Sequence, residues 1–383
     1  MKKLYLSAAA IAASLALPAL PARAQTSEIV IGITVTTTGP AAALGIPERN
    51  ALDFVPKEIG GVPLKVIVLD DGGDPTNATT NARRFVTESK ADIIMGSSTT
   101  PPTVAVSTVA NEAGIPHFGL APFPITPERM KWSVAMPQPI PIVGKVLYDH
   151  MKAKGVKTVG YIGYTDTWGD IVYKAIQSHA AEGGFKIVTD ERYARSDTSV
   201  TGQILRLMST NPDAIVVGGS GTGAALPHVT LIERGYKKGI YHNHGTVNAE
   251  FIKVGGKAVV GAVAVTGPLV VPEELPDSHP TKKVSLDFTK RYEAAFGAGT
   301  RNAFAGYAYD GMLLLDAAVP AALKKGKPGT PEFREALRAS LEGVKNVVGT
   351  HGVYNMNAQT HNGLDERARV VVQVENGAWH LMK

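Results

Sequence analysis

Cysteine is absent from the 383 residues. That excludes disulfides, thiolate metal sites and a cysteine nucleophile, and with them a lipid anchor attached through a cysteine at an export cleavage site. Charged side chains are sparse, 19% of the chain, and nearly balanced at 39 basic against 34 acidic, with no basic stripe of the kind that grips nucleic acid. No H-E-x-x-H occurs and no serine stands in a G-x-S-x-G elbow, so metalloprotease and α/β-hydrolase chemistry have no sequence support. Short internal repeats and low-complexity tracts are missing as well. These absences leave neither a catalytic constellation nor a cofactor or metal to expect.

What is present begins at the N-terminus. Lys2 and Lys3 precede an apolar run from Leu4 to about Leu20, and Ala22-Arg23-Ala24 follows. A charged start, a short apolar core and an A-x-A box make a secretory signal, predicted to be cut after Ala24. Pro18 and Pro21 break the run, which falls short of the ~20 apolar residues of a membrane span. Removing 24 of 383 residues leaves 359, more than a single core usually organises, so two domains are expected. Lys2, Lys3 and Arg23 account for three of the +5 formal charges, which leaves +2 on the secreted remainder.

Along that remainder, β-branched apolar runs alternate with segments of helical period, the pattern of a parallel sheet covered by helices. One series spans Glu28 to Gly119, with helices expected from about Pro47, Asn77 and Pro101. A second follows the proline-rich stretch Pro137, Pro139 and Pro141 and runs to Thr266. Another crossing, Gly267 to Pro280, leads to helices from about Thr281, Phe304 and Pro331, and a hairpin over Arg367 to Met382 closes the chain. The reading is α/β, with two Rossmann-like lobes.

Six motifs in order then carry a resemblance. They are Ile31-Gly-Ile33 with Thr38-Gly-Pro40 and Gly45, Asp70-Asp71-Gly-Gly-Asp74-Pro75, Asp92 to Gly96, Ala113-Gly-Ile-Pro116, Asp166-Thr-Trp168-Gly169, and Gly349 to Gly363. Together they resemble the type I periplasmic binding proteins of the branched-chain amino acid (Leu/Ile/Val-binding protein-like) importer family, over nearly all of the secreted chain. The resemblance implies parallel-sheet cores joined by three crossovers, at about residues 117 to 140, 265 to 280 and 346 to 352. Residues 25–136 with 267–346 then form the N-terminal lobe, and 137–266 with 347–383 the C-terminal lobe. It implies a periplasmic, monomeric receptor that closes on a small solute and hands it to the membrane permease of an ABC importer. The solute would lie between the lobes, at the carboxyl ends of the strands.

Within that cleft, Thr99 and Thr100 precede Pro101 at a strand-to-helix junction. Thr100 is the N-cap expected there, either serving its own helix or binding a carboxylate with the helix start. Ala121 and Phe123 match the loop that completes carboxylate binding in the resembled family. Trp168, Ser220, His244 and Phe304 fall at the remaining family contact positions, with Asn243 and Tyr307 beside them. Two of these depart from the family. Phe123 stands where amino-acid receptors have a small hydroxyl residue, and His244 where they have the acid that balances an ammonium. An ammonium in a dry cleft without a carboxylate is strongly disfavoured. Aromatic surface at Phe123, Trp168 and Phe304 therefore points to an aromatic or hydrophobic carboxylic acid as solute. A branched-chain amino acid or amide, or a sensing role on the same fold, stays open.

Other readings of single motifs are weaker. Gly219-Ser-Gly221-Thr-Gly-Ala224 fits the dinucleotide fingerprint G-x-G-x-x-G/A, yet Tyr241 to His244 offers no acid for a ribose, and a tight turn letting the solute approach the backbone explains it better. His242 and His244 alternate along a strand and point to opposite faces, which speaks against a two-histidine metal site. Asp70, Asp71 and Asp74 cap and shape a turn rather than pair as catalytic acids.

Overall fold

The computed structural model describes residues 28–382; the expected signal segment lies outside them. The chain runs β1 (Ile29–Val35), α1 (Ala42–Ala51), β2 (Glu58–Ile59), β3 (Val62–Asp70), α2 (Pro75–Thr87), β4 (Ile93–Met95), α3 (Thr100–Ala113), β5 (His117–Gly119), α4 (Pro127–Met130) and β6 (Ser133–Ala135). It continues with α5 (Ile140–Ala153), β7 (Thr158–Tyr164), α6 (Thr167–Gly183), β8 (Lys186–Tyr193), α7 (Thr201–Ser209), β9 (Ala214–Gly218), α8 (Ala225–Glu233), β10 (Gly239–His242), α9 (Ala249–Gly255) and β11 (Val263–Thr266). The last part is α10 (Lys282–Phe296), α11 (Ala303–Ala322), α12 (Pro331–Glu342), β12 (Val347–Val348), β13 (Val353–Tyr354), β14 (Val370–Glu375) and β15 (Ala378–Leu381).

These strands form two large sheets, in the orders β2-β3-β1-β4-β5-β6 and β15-β14-β11-β10-β9-β7-β8. Both have parallel centres with an antiparallel edge: β2 on β3 in the first, β14 and β15 in the second. In β1 the alternate residues Ile29, Ile31, Ile33 and Val35 enter one core with α1, α11 and α12, while Val30 packs in a second core against Phe85 of α2. Gly32 has to be glycine, because a Cβ there would lie 2.4 Å from the Phe85 ring. The second sheet builds its own core from Val159, Ile162, Val216, Val217 and Ala264.

Three differences from the sequence reading have physical causes. First, α1 begins at Ala42, not Pro47, and contains that proline. The missing N–H of Pro47 leaves the Ala43 carbonyl without its helical donor, and Asn302 Nδ2, from the start of α11, approaches that oxygen at 3.5 Å. Second, the stretch of Pro137, Pro139 and Pro141 is no extended crossing throughout: Ile140 starts α5, with Pro141 in the first turn, where proline costs no hydrogen bond. Third, the last crossing is not at 346 to 352. The Thr350 and His351 N–H groups and the Tyr354 hydroxyl all donate to the buried Asp310 carboxylate of α11, and Tyr354, Met356, Leu364 and Ala368 join the first core. Pairing with the second sheet begins only at Val370, against Thr266. Residues 347–368 therefore pack with the first sheet, not the C-terminal lobe.

Candidate functional site

Strand ends of the two sheets face one another where the lobes meet. Leu44 of α1 reaches Gly221 of the opposite lobe, a Cβ on which would stand 3.6 Å from the leucine Cδ2, and α3 approaches α6 across the same seam. All eight expected site residues, Thr99, Thr100, Ala121, Phe123, Trp168, Ser220, His244 and Phe304, are buried.

On the first lobe, the β4–α3 junction is shifted by one residue from the expectation. Thr99, in extended conformation, is the N-cap, and Thr100 is the first helical residue. Thr100 Oγ1 donates to the Pro122 carbonyl at 2.7 Å and so ties the Ala121–Phe123 loop to the helix. Its hydroxyl is thereby engaged in holding the loop, while Thr99 makes no side-chain capping bond. Pro101 and Pro102 have no N–H, so this helix start offers fewer donors than an ordinary one. The Thr99, Thr100, Ala121 and Phe123 N–H groups have no acceptor among the described residues, which leaves them free to donate to a carboxylate. The Phe123 ring folds back over Gly119, where a Cβ would meet it at 2.4 Å, and lies 5.7 Å from the His117 ring. Its outer side borders an apolar groove with Ile125, Met130, Pro137 and Ile140. The aspartates of this lobe's 70–74 turn are structural. Asp71 accepts from Thr34, Thr36 and Ser97 hydroxyls and the Gly73 N–H, and Asp74 caps α2 through the Thr76 and Asn77 N–H groups. Burial pushes the Asp70 carboxyl up, but bonds from Thr38, Thr37 and Gly72 outweigh it and hold it at about 2.

On the second lobe, Trp168 sits in the first turn of α6, its indole N–H donating to Gly219 O at 3.3 Å and its ring meeting His244 edge-on at 5.4 Å. His244 is 1% exposed, and neither ring nitrogen has a partner among the described residues. Burial, with His351 adding to it, pulls it down to about 4, so it is a neutral imidazole at neutral pH. The two rings also line a small apolar cavity of ≈ 30 Å³, together with Tyr148, Val172 and Val216. Ser220 Oγ accepts from Arg195, whose guanidinium also pairs with Asp166 and stacks 4.1 Å from the Tyr164 ring centroid. Asn243 is fully engaged: its amide donates to Val217 O and Gly219 O, and its oxygen accepts from Gly245 N–H. It is a scaffold residue, not a free solute contact.

The glycine run after β9 also has a structural cause. Tyr161, Tyr193 and Tyr164 hydroxyls lie 1.9, 2.3 and 2.4 Å from where Cβ atoms would stand on Gly218, Gly219 and Gly223, and Gly221 has φ +57°. Protein tyrosines, rather than a nucleotide or the solute, press on this backbone. His242 turns to the far face, bonded to His228 at 2.8 Å and set against Phe251, as the alternation required.

Phe304 packs in the first core, edge-on to Tyr307 at 5.6 Å. Tyr307 belongs to a hinge network that sequence reasoning missed. His351 Nε2–H donates to Ala303 O at 2.7 Å, which leaves Nδ1 to accept from Gln138 Nε2 at 3.2 Å, while the Tyr307 hydroxyl donates to Gln138 Oε1 at 2.9 Å. A Cβ on Gly267 would lie 2.0 Å from His351 Nδ1 and 2.3 Å from Gln138 Nε2, so this glycine joins the first two crossings at one point. No spacing pattern reveals such a network, because its members are scattered over more than two hundred residues, from Gln138 to His351.

A family model described as periplasmic binding protein matches residues 28–378. The chain belongs to that family, and to its branched-chain amino acid (Leu/Ile/Val-binding) division. Among solved structures, Rp1789 of Rhodopseudomonas palustris (strain CGA009) is 60% identical, covers 93% of this chain and 100% of its own, and superposes with a TM-score of 0.92. Among curated proteins, Leu/Ile/Val-binding protein homolog 3 of Brucella melitensis is 24% identical over 80% of this chain and 86% of its own length. A solute-binding protein of an ABC transporter from R. palustris, in complex with benzoate, is 19% identical, covers 93% and 95%, and has a TM-score of 0.79, a likeness that carries the fold alone. Members of this family bind solutes and are not enzymes. The α/β fold with two parallel-cored sheets is that of a type I periplasmic binding protein.

Proposed function

We propose that the chain is the periplasmic receptor of an ABC importer and that it takes an aromatic or hydrophobic carboxylate, closing its lobes over it. The observation that carries this reading is the environment of His244. Where an amino-acid receptor needs an acid, this cleft has a neutral imidazole with both nitrogens unpaired among the described residues, set edge-on to Trp168 beside a small apolar cavity. Such a wall receives a ring and a weak polar substituent, and it offers an ammonium no charge to balance it. On the first lobe, the free N–H groups at Thr99, Thr100, Ala121 and Phe123 suit a carboxylate. The benzoate held by a protein of the same fold is consistent with this chemistry.

A branched-chain amino acid is the competing solute, favoured by the name of the curated relative. Thermal unfolding of the purified protein against aromatic acids, aliphatic acids, amino acids and amides separates the two, since a solute that binds only the folded form raises the melting temperature. The expected result is stabilisation by benzoate or phenylpropenoate types and none by leucine; the reverse order sinks the reading.

A further inference from the structure

Besides His244, the cleft has a second buried side chain with an idle polar atom. Glu48 lies on α1 one turn beyond Leu44, and so on the helix face that reaches the opposite lobe. It is fully buried, and its Oε1 has no partner. Its Oε2 meets the Ser98 hydroxyl, next in sequence to the N-cap Thr99. We propose that Glu48 is a solute contact, donating a hydrogen bond from Oε1–H to the carboxylate held by the free N–H groups of Thr99, Thr100, Ala121 and Phe123. The proposal rests on the carboxylate reading above.

The direction of each hydrogen around Glu48 follows from its neighbours. The Thr36 N–H donates to Ser98 Oγ at 2.9 Å, and the single Ser98 hydroxyl proton is directed to Glu48 Oε2, which accepts it. If Glu48 retains a proton, that proton therefore sits on Oε1, the oxygen with no partner among the described residues. Burial does push this carboxyl well above the ordinary range; the Ser98 bond opposes the shift and the nearby Asp71 charge adds to it. The ionisable groups facing Glu48 are Asp71 at the end of β3 and Tyr307 of α11, and no cation is among them. A neutral acid donating to an anion is a strong, charge-assisted contact, whereas an ionised Glu48 would repel the same anion. The site thus selects acids by keeping one proton of its own, and it loses them when that proton leaves.

The test uses the whole secreted protein with Glu48→Gln and Glu48→Ala, titrated with benzoate, phenylpropenoate, benzamide and leucine. Glutamine keeps the arrangement, its carbonyl accepting from Ser98 and its amide donating to the solute. It should hold the acids within about threefold of wild type, while alanine weakens them about tenfold or more and benzamide less. As the solution is made alkaline, wild-type affinity for the acids should decline and that of Glu48→Gln should stay level. Acids bound equally by wild type and a folded Glu48→Ala overturn the proposal and leave the solute reading intact. If the alanine variant does not fold, identical alkaline profiles of wild type and Glu48→Gln overturn it instead. Leucine bound by wild type with every acid refused overturns both, because an ionised Glu48 would then accept from an ammonium.

Discussion

At the residue scale, Thr99 and Thr100 divide two tasks that the sequence assigns to one position. Thr100→Val removes the donor to Pro122 O and frees the loop bearing Ala121 and Phe123. It should lower stability by about 1 kcal/mol, read as a reduced melting temperature. Thr99→Ala removes no bond within the protein. Its melting temperature should match wild type while affinity for carboxylates falls more than that for their neutral amides, and an unchanged ratio would remove Thr99 from the site. Trp168→Ala takes away a ring that lines the cavity beside His244, and should cost on the order of 2 kcal/mol of binding to an aromatic acid by calorimetry. Thr99 and Thr100 could be singled out because they sit at a strand–helix junction punctuated by Pro101, and Trp168 because of the family resemblance. Glu48 was not, since a single acid in Gly45-Ile-Pro-Glu48 reads as a solvated helix position until the fold buries it.

At the scale of elements, the β-branched apolar runs that became β1, β7 and β9 and the helical-period segments between them placed most strands and helices within a few residues. What failed were the elements whose signals are tertiary. Helix α5 hid among prolines, and α1 was cut at Pro47 because the Asn302 side chain that approaches its unpaired carbonyl is far off in the chain. The third crossing was misplaced because Asp310, one acid within α11, draws Thr350, His351 and Tyr354 to the first lobe. The junction at Gly267 gives a test at this scale. Gly267→Ala forces a methyl between His351 and Gln138, and overpacking of this kind typically costs about 1–3 kcal/mol. It should both lower the melting temperature and weaken solute binding, since the network joining the crossings must give way. A variant that melts and binds as wild type would show the junction to be slack.

Across the whole molecule, buried histidines set the response to acid. His117, His228 and His244 are each drawn from 6.5 to about 4, first by burial. The unfolded chain takes up these protons near pH 6.5 and the folded chain only near 4. Their contribution to stability is therefore complete above about 6.5 and lost as pH falls toward about 4. The melting temperature should drop between about pH 7 and about pH 5, with a shallower slope in His244→Gln; a flat profile in wild type would mean that these rings are hydrated. Two lobes laced by Gln138, Gly267 and His351 also fit hinge closure, and small-angle scattering should give a smaller radius of gyration with solute than without.

The proposed solute, an aromatic acid received by His244 and the apolar wall around Trp168 in place of an amino acid, is open to direct measurement. Calorimetric titration of wild type with leucine and with a series of benzoates and phenylpropenoates measures it directly. The account predicts one site per chain, at least one aromatic acid bound more tightly than leucine, and the solute recovered unchanged; leucine binding more tightly than every aromatic acid contradicts it.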